Sequence, residues 1–408
     1  MSVDVGQPNQ EELPKRLPRA TRRLRLGFVG GGRGAFIGEV HAMGARLSNR
    51  WEVVAGALSS DPETARQSGA DWLLPSDRIY TDYRDMAAAE QKRLDGIDAV
   101  AITTPNNSHH AIASAFMERG IDVICDKPLC NTVEQARDLV EQQKRSGLVF
   151  AVTYAYASHP MVRQIREMVR AGRVGQIKQI HVEYFQEWAL QPPAQFSKGA
   201  EWRLDPAKAG ETFTTGDIGT HAHHLACFAS GLEMTELRAE FHVTGAPKPL
   251  EDTAFMQVRF QGGVPGTLMV SQAAAGTHCG LRLRIFGEVA GIEWNQETPE
   301  YVHFTPVQAP AQTIMRGEGA DVGRAAGRLI RMPRGHPEAL TDAWANIYTE
   351  FAVAVDARRS GRILPEGLIE MPTVLDGMRG VEFVQAAVQS NDLGGAWVRI
   401  AGLEMGDR

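Results

Sequence analysis

Apolar positions in the first 150 or so residues come in short runs that alternate with helical-period segments. Leu24, Leu26, Phe28 and Val29 form a run that stops at Gly30, which reads as a buried strand. Beyond the glycines, Ile37, Val40, Met43 and Gly44 recur at helical spacing, so a helix opens there. Trp51–Leu58 and Asp98–Thr104 read as the next strands, followed by Val123–Cys125 and Val149–Thr153. Asn106, Asn107 and Ser108 offer caps for a helix through Arg119, and Thr132 caps another that runs to about Ser146. Strands alternating with helices across short loops predict a parallel, doubly wound sheet over residues 24–153.

After residue 153 the pattern changes. Pro160–Arg170 is amphipathic, with Met161, Ile165, Met168 and Val169 on one face, and Ile177–Trp188 alternates like a strand. From Thr235 the period is two: Leu237–Val243, Ala254–Phe260, Thr267–Ser271, Leu281–Phe286 and Gly291–Trp294 read as successive strands between glycine-rich turns. Ile347–Val355 and Val374–Val388 are apolar-periodic helices, and Trp397–Ile400 is a last strand. The fold class is α/β, and 408 residues exceed one ordinary core, so two domains are expected, 24–153 and 154–408.

Composition narrows the function classes. The net charge of −6 and the lack of a basic stripe interleaved with aromatics argue against nucleic acid. No apolar run approaches the ~20 residues of a membrane span. Residues 1–23 form a polar arm without the apolar core of a secretory signal. Arg19, Arg22, Arg23 and Arg25 make the arm basic, while Asp4, Glu11 and Glu12 argue against a transit peptide, so a disordered or partner-wrapping arm is expected. Cys125, Cys130, Cys227 and Cys279 show no metal-finger spacing and read as reduced thiols of a cytoplasmic protein.

The chemistry gathers at strand ends. Gly30, Gly32 and Ala35 satisfy G-x-G-x-x-G/A between a strand and a helix, the arrangement that brings backbone N–H groups to a pyrophosphate. Gly31, Arg33, Gly34 and Phe36 complete that loop, and Arg33 adds a charge beside the phosphates; a tight turn without a ligand is the bland alternative. After the second strand come Ser59 and Ser60, then Asp61, which leaves NAD and NADP both open. Thr104-Pro105-Asn106 ends a buried strand, so Asn106 and His109 either touch the nicotinamide half or only cap a helix. Asp126-Lys127-Pro128 stands at another strand end, where a lysine suits proton chemistry or the orienting of a hydroxyl, and Pro128 makes a cis or kinked peptide plausible. Farther on, Asp217 and His221 stand four apart, so on a helix the carboxylate lies beside the imidazole, raising its pKa and orienting it. His221, His223 and His224 invite a metal reading, but adjacent His223 and His224 cannot face one point on a helix, and no metal site is assigned.

With the glycine loop, the T-P-N turn and the D-K-P turn in this order, the chain resembles the glucose–fructose oxidoreductase, inositol dehydrogenase and rhizopine-catabolism (Gfo/Idh/MocA) family. The resemblance runs from about residue 24 to the C-terminus. It implies a Rossmann domain followed by an α/β domain with an open, mostly antiparallel sheet that pairs subunits into a homodimer or homotetramer. It also implies that Lys127 is the catalytic lysine, His221 exchanges the hydroxyl proton and Asp217 contacts substrate or histidine. Two departures stand out. The family's lysine usually follows Glu, here Asp126, and His41 comes later than the usual histidine after the glycines, as if the phosphate loop carried a small insertion. Members often carry Asp where this chain has His224, which becomes a candidate substrate contact. Tyr154, Tyr156, Trp188, Trp202 and Arg203 are further candidates for a sugar pocket, since aromatic faces and planar donors suit polyhydroxylated ligands. The activity implied is an NAD(P)-dependent dehydrogenase acting on a secondary alcohol of a sugar, cyclitol or related polyol. A nucleotide-binding regulatory protein without turnover, or a metal-dependent hydrolase or lyase using the histidine cluster, are the alternatives.

Overall fold

The computed structural model describes residues 13–317, 319 and 322–401. Strands β1 (Leu24–Gly30), β2 (Trp51–Ala57), β3 (Ala99–Thr103), β4 (Asp122–Cys125) and β5 (Phe150–Val152) form a wholly parallel sheet in the order β2-β1-β3-β4-β5. β3 and β4 are buried along their full length, as strands covered on both faces must be. The cover comes from α1 (Phe36–Leu47), α2 (Pro62–Asp71), α3 (Tyr83–Lys92), α4 (His109–Met117) and α5 (Val133–Ser146). Local chemistry sets their ends: Asp61, Asp82 and Thr132 accept from first-turn N–H groups, and Gly147, at φ 64°, closes α5.

The second half adds α6 (Pro160–Arg170), β6 (Ile177–Phe185), α7 (Lys198–Glu201), α8 (Pro206–Ala209) and α9 (Thr220–Ser230). Strands β7 (Met234–His242), β8 (Thr253–Phe260), β9 (Val264–Ser271), β10 (Gly280–Gly287), β11 (Ala290–Asn295), β12 (Tyr301–Pro306) and β13 (Gln312–Met315) follow. The chain ends through α10 (Arg324–Gly327), α11 (Leu340–Ser360), α12 (Val374–Asp392) and β14 (Val398–Arg399). The nine-stranded sheet runs β13-β12-β11-β10-β6-β9-β8-β7-β14, antiparallel except for the β6–β9 pair. Its inner face packs on α6, α9 and α12 around Val182, Leu225, Leu268, Leu283 and Phe383.

The C-terminal chain does not stay with this sheet. Trp344, Ile347, Tyr348 and Phe351 of α11 share a core with Leu24, Leu26, Phe28 and Val40 of the nucleotide half. Gly44 is the contact point, since a Cβ there would sit 2.9 Å from Trp344 Cβ.

The expected loose arm divides in two. Asp4, Glu11 and Glu12 lie outside the described residues, but residues 13–23 lie against the body: Leu13 and Leu17 are buried with Leu329, Val353 and Leu368. Arg22 holds Asp98 through two hydrogen bonds of 2.7 and 2.9 Å. Two apolar leucines four apart in a polar stretch are enough to seat the segment. Among the described residues no helix is long and apolar enough to cross a membrane.

Candidate active site

A cleft of about 920 Å³ lies where the carboxyl ends of β1, β2, β3 and β4 meet α9 and the segment 186–213. At one end is the glycine loop. Gly30 and Gly31 have φ of 83° and 79°, and a Cβ on Gly32 would fall 2.7 Å from Leu58 O. α1 opens at Phe36 with no side chain capping it, so its first N–H groups stay available to an anion. A cradle only glycine can line, ending on an uncapped helix, fits a dinucleotide pyrophosphate. The close approach of helix to turn falls on Gly38, where a Cβ would lie 2.3 Å from Gly31 Cα. The packing glycine of this turn is therefore Gly38, beyond Ala35.

Arg33 lines the same end, but Asp71 takes its guanidinium at 2.5 and 2.9 Å and Gln67 at 2.5 Å. Ser59 lines the cleft and Asp61 is occupied capping α2. Ser60 is not among the lining residues.

Midway stands the D-K-P turn, and the Lys127–Pro128 peptide is cis. Burial works against the Asp126 carboxylate, but His41, Lys127 and His109 around it hold it well below the usual range. Its Oδ1 also accepts from Thr153 Oγ1 at 2.9 Å. His41 is fully buried, with Nδ1 2.8 Å from Tyr348 Oη and Nε2 3.7 Å from Asp126 Oδ1. Thr104, Pro105 and Asn106 line the cleft here. His109 does not: its ring is buried between Pro128 O at 3.0 Å and Thr104 O at 2.7 Å, tying two loops together from behind.

Opposite, residues 215–219 form a π-helical turn just before α9. Such turns admit one extra residue and recur at functional sites. Glu251 pins this one, accepting from Phe213 N at 2.9 Å and Thr215 N at 2.8 Å, and burial lifts its carboxyl to about 7. The turn carries Asp217 across to Lys127, whose Nζ donates to Asp217 O at 2.5 Å and Oδ1 at 2.8 Å. Asp217 Oδ2 accepts from Gln272 Nε2 at 2.8 Å and lies 3.5 Å from Arg203 Nε. Burial opposes that carboxylate too, yet Lys127 and Arg203 keep it ionised, well below its ordinary pKa.

Asp217 and His221 make no ion pair within 4 Å, which corrects the i, i+4 pairing expected from their spacing. The sign of the histidine shift changes with it. Burial first, and then the Lys127 charge, push His221 well below 6.5, so its imidazole is neutral near pH 7. Its ring packs edge-on against Tyr156, 4.7 Å between centroids, and its Nδ1 is buried, which leaves Nε2 for the cleft.

Of the expected sugar-pocket residues, Tyr156, Trp188, Trp202 and Arg203 line the cleft. Tyr154 and His224 do not. Tyr154 is a buried spacer stacked on His224 at 4.4 Å, and His224 faces a separate cavity of about 390 Å³ beside Asp376. His223 turns elsewhere and stacks on Phe383, so the three histidines diverge. Gly38, Tyr184, Gln186, Gln272 and Cys279 were not expected. Tyr184 and Gln186 were nevertheless legible, since they continue the inward face of Ile180 and Val182 at period two.

Comparison with known proteins follows the same division. The oxidoreductase family with an NAD-binding Rossmann fold matches residues 24–154, and the GFO/IDH/MocA C-terminal domain matches residues 162–293. An uncharacterised oxidoreductase of Bacillus subtilis, YfiI, is 34% identical over 93% of this chain and 97% of its own length. The crystal structure of an oxidoreductase from Sinorhizobium meliloti is 42% identical, with a TM-score of 0.83 over 93% of this chain and 100% of that one. An inositol dehydrogenase homologue from Azotobacter vinelandii, complexed with NADH and myo-inositol, is 34% identical, with a TM-score of 0.86 over 94% of this chain and 99% of that one.

Proposed function

The chain belongs to the Gfo/Idh/MocA family of oxidoreductases, and on that premise we propose that it is an NAD-dependent dehydrogenase of an uncharged sugar or cyclitol. What carries the reading is one shared cleft: Lys127 from the nucleotide half and His221 from the sheet half both line it, together with the glycine cradle. When bound, NAD supplies the hydride acceptor for oxidation of a secondary alcohol.

The residues divide the remaining work. An ammonium has three N–H donors, and Lys127 spends two on Asp217, so one is left for the carbinol oxygen. That bond stabilises negative charge developing on the oxygen as its proton leaves. His221, neutral near pH 7, accepts the hydroxyl proton at Nε2. Asp217 holds the Lys127 ammonium in place through two hydrogen bonds. Pro128 and His109 set the height of the D-K-P turn from behind.

Charge supports an uncharged substrate. Lys127 and Arg203 are balanced by Asp126 and Asp217, and Arg33 is matched by Asp71. Among the described residues lining the cleft, each of these cations thus has a carboxylate beside it, and a sugar acid or phosphate would have to compete with those carboxylates. The relative complexed with NADH and myo-inositol supports NAD and a cyclitol in particular.

The test is a panel of myo-inositol, levoglucosan, D-xylose and their acid and phosphate derivatives with NAD and NADP, followed by absorbance of the reduced cofactor. Turnover of a neutral polyol, abolished in Lys127→Ala with NADH binding intact, is expected. No turnover with any polyol, or an active Lys127→Ala protein, overturns the proposal. Exposed Phe255 and Phe286 lie on the outer side of the nine-stranded sheet and support its pairing with a second copy, as homodimer or homotetramer; sedimentation at two concentrations decides. The four free cysteines support a reducing, cytoplasmic setting.

A further inference from the structure

One wall of the cleft beside His221 is a run of neutral donors and acceptors. Gln272, wholly buried, donates from Nε2 to Asp217 Oδ2 at 2.8 Å and to Gln186 Oε1 at 3.2 Å, while its Oε1 accepts from Thr214 Oγ1 at 2.8 Å. Gln186 Oε1 also accepts from Trp188 Nε1 at 2.9 Å, and Gln186 Nε2 donates to Tyr184 Oη at 3.3 Å. Tyr184 Oη stands 2.5 Å from Tyr156 Oη and 3.2 Å from Cys279 Sγ.

Both ends of this run have a fixed sense. An ionised carboxylate only accepts and an indole N–H only donates. Asp217, ionised against Lys127, compels Gln272 to turn its amide N–H groups toward it. Trp188 and Gln272 both donate to Gln186 Oε1, so the Gln186 amide nitrogen must face Tyr184. Tyr184 Oη thereby becomes an acceptor, and its one proton goes to the better acceptor, the Tyr156 oxygen rather than the thiol sulfur. The Tyr156 proton is then left, among the described residues, with Cys279 Sγ at 3.7 Å. Tyr156 is buried except where it lines the cleft, beside the His221 ring.

We infer that this chain of bonds locks Tyr156 as a hydrogen-bond donor to the substrate, reading a second oxygen (a hydroxyl or ether) apart from the one that reacts. Gln186 and Gln272 are its positioning residues. The inference rests on the dehydrogenase reading and deepens it from a polyol in general to one that offers an acceptor oxygen at that wall. A buried phenol O–H left with only a long contact to a thiol sulfur is costly, so deoxy analogues lacking that oxygen bind more weakly. Burial also keeps both phenols protonated, each well above its ordinary pKa.

Gln186→Glu tests the wiring with little change of shape. The carboxylate still accepts from Trp188 and Gln272, but it now accepts from Tyr184 as well. Tyr184 must then accept from Tyr156, and the cleft donor disappears. In ultraviolet resonance Raman difference spectra of the NADH-bound protein, the tyrosine doublet should show one phenol turning from acceptor to donor; no change overturns the wiring. In kinetics with myo-inositol, or the polyol of the panel turned over fastest, Tyr156→Phe and Gln186→Glu should each raise KM about tenfold with kcat and NADH affinity held. The double variant should add nothing. An unchanged KM in either single variant, or losses that multiply in the double, overturns the inference. Failure of the wild type on every polyol removes the dehydrogenase reading instead, and the spectral arm still judges the wiring.

Discussion

At the scale of single residues, Lys127 acts on two partners of opposite kind. It holds Asp217 as a carboxylate and helps to keep His221 uncharged. Lys127→Met should therefore raise the His221 pKa, as followed by ring-proton shifts in NMR, while leaving it below 6.5 because burial is the larger cause. An unmoved titration would mean that the lysine charge does not reach the ring. Arg33 offers a second test, since Asp71 now neutralises it. Asp71→Asn should free the guanidinium for a 2′-phosphate and tighten NADPH several-fold in fluorescence titrations, with NADH little altered. Lys127 stands out in the sequence because most lysines lie on solvated faces whereas this one ends a buried strand, and the structure places it in the cleft. Asp217 and His221 were legible as residues but not as a pair, because the spacing argument assumes α-helical geometry and the turn is π-helical. Tyr154 and His224 were misread because aromatic and histidine side chains fill cores as readily as they line pockets.

At the scale of elements, the phosphate loop and the π turn carry the site, and each has one residue that holds it. Gly38→Ala should press a methyl into Gly31, costing about 1–3 kcal/mol of stability or moving the loop. NADH affinity should fall by an order of magnitude or more, and a normal dissociation constant would show that the loop can yield. Glu251 holds the π turn through two backbone N–H groups. Its folded pKa, about 7, exceeds the ordinary 4.5, so the folded state binds the proton more tightly than the unfolded chain. Below pH 4.5 this group adds no pH dependence. Between 4.5 and about 7 it makes unfolding easier as pH rises, by up to ~1.4 kcal/mol per unit, and above that range the loss is constant. Glu251→Gln should flatten that slope in urea titrations at stepped pH. It should also cost about 1–3 kcal/mol, because an amide cannot accept from both N–H groups with both of its ends. Most strands were readable to within a few residues, since period two and buried runs are strong signals. β12 and β13 were not: Gln312–Met315 carries one buried residue at a sheet edge and has no alternation to read, whereas Tyr301–Pro306 does alternate, burying Val302 and Phe304, and was passed over.

At the scale of the molecule, the two sheets do not divide the chain as cleanly as its pattern does. The division at residue 153 follows the change from parallel to antiparallel signals, but packing obeys buried area, and α11 spends its apolar face on the nucleotide half. Trp344, Ile347, Tyr348 and Phe351 close over Leu24, Phe28 and Trp51, and Trp51 Nε1 donates to Tyr348 O at 2.8 Å. Periodicity reveals that a helix is amphipathic and is silent on which sheet it will cover. Arg163 of α6, fully buried, meets Glu350 of α11 at 2.7 Å and Glu370 at 3.3 Å, so three separated stretches share one charge cluster. Removing one partner of such a cluster strands a buried charge. A fragment of residues 13–153 should therefore fail to hold a native nucleotide sheet: it should show broad, non-cooperative unfolding and no NADH binding, whereas the full chain binds. Adding residues 154–170 and, through a flexible linker, residues 340–373 should restore both, because Arg163 then stays with Glu350 and Glu370. A cooperative, NADH-binding 13–153 fragment would show that the first sheet closes its own core, and that α11 only covers what is already stable. Because α11 also contacts His41 through Tyr348, and His41 lies beside Asp126, the same helix that completes the core sets the floor under Lys127. Cofactor binding and the placing of Lys127 should accordingly be lost together when α11 is loosened, as by Phe351→Ala, with the loss of NADH affinity and of turnover tracking one unfolding transition.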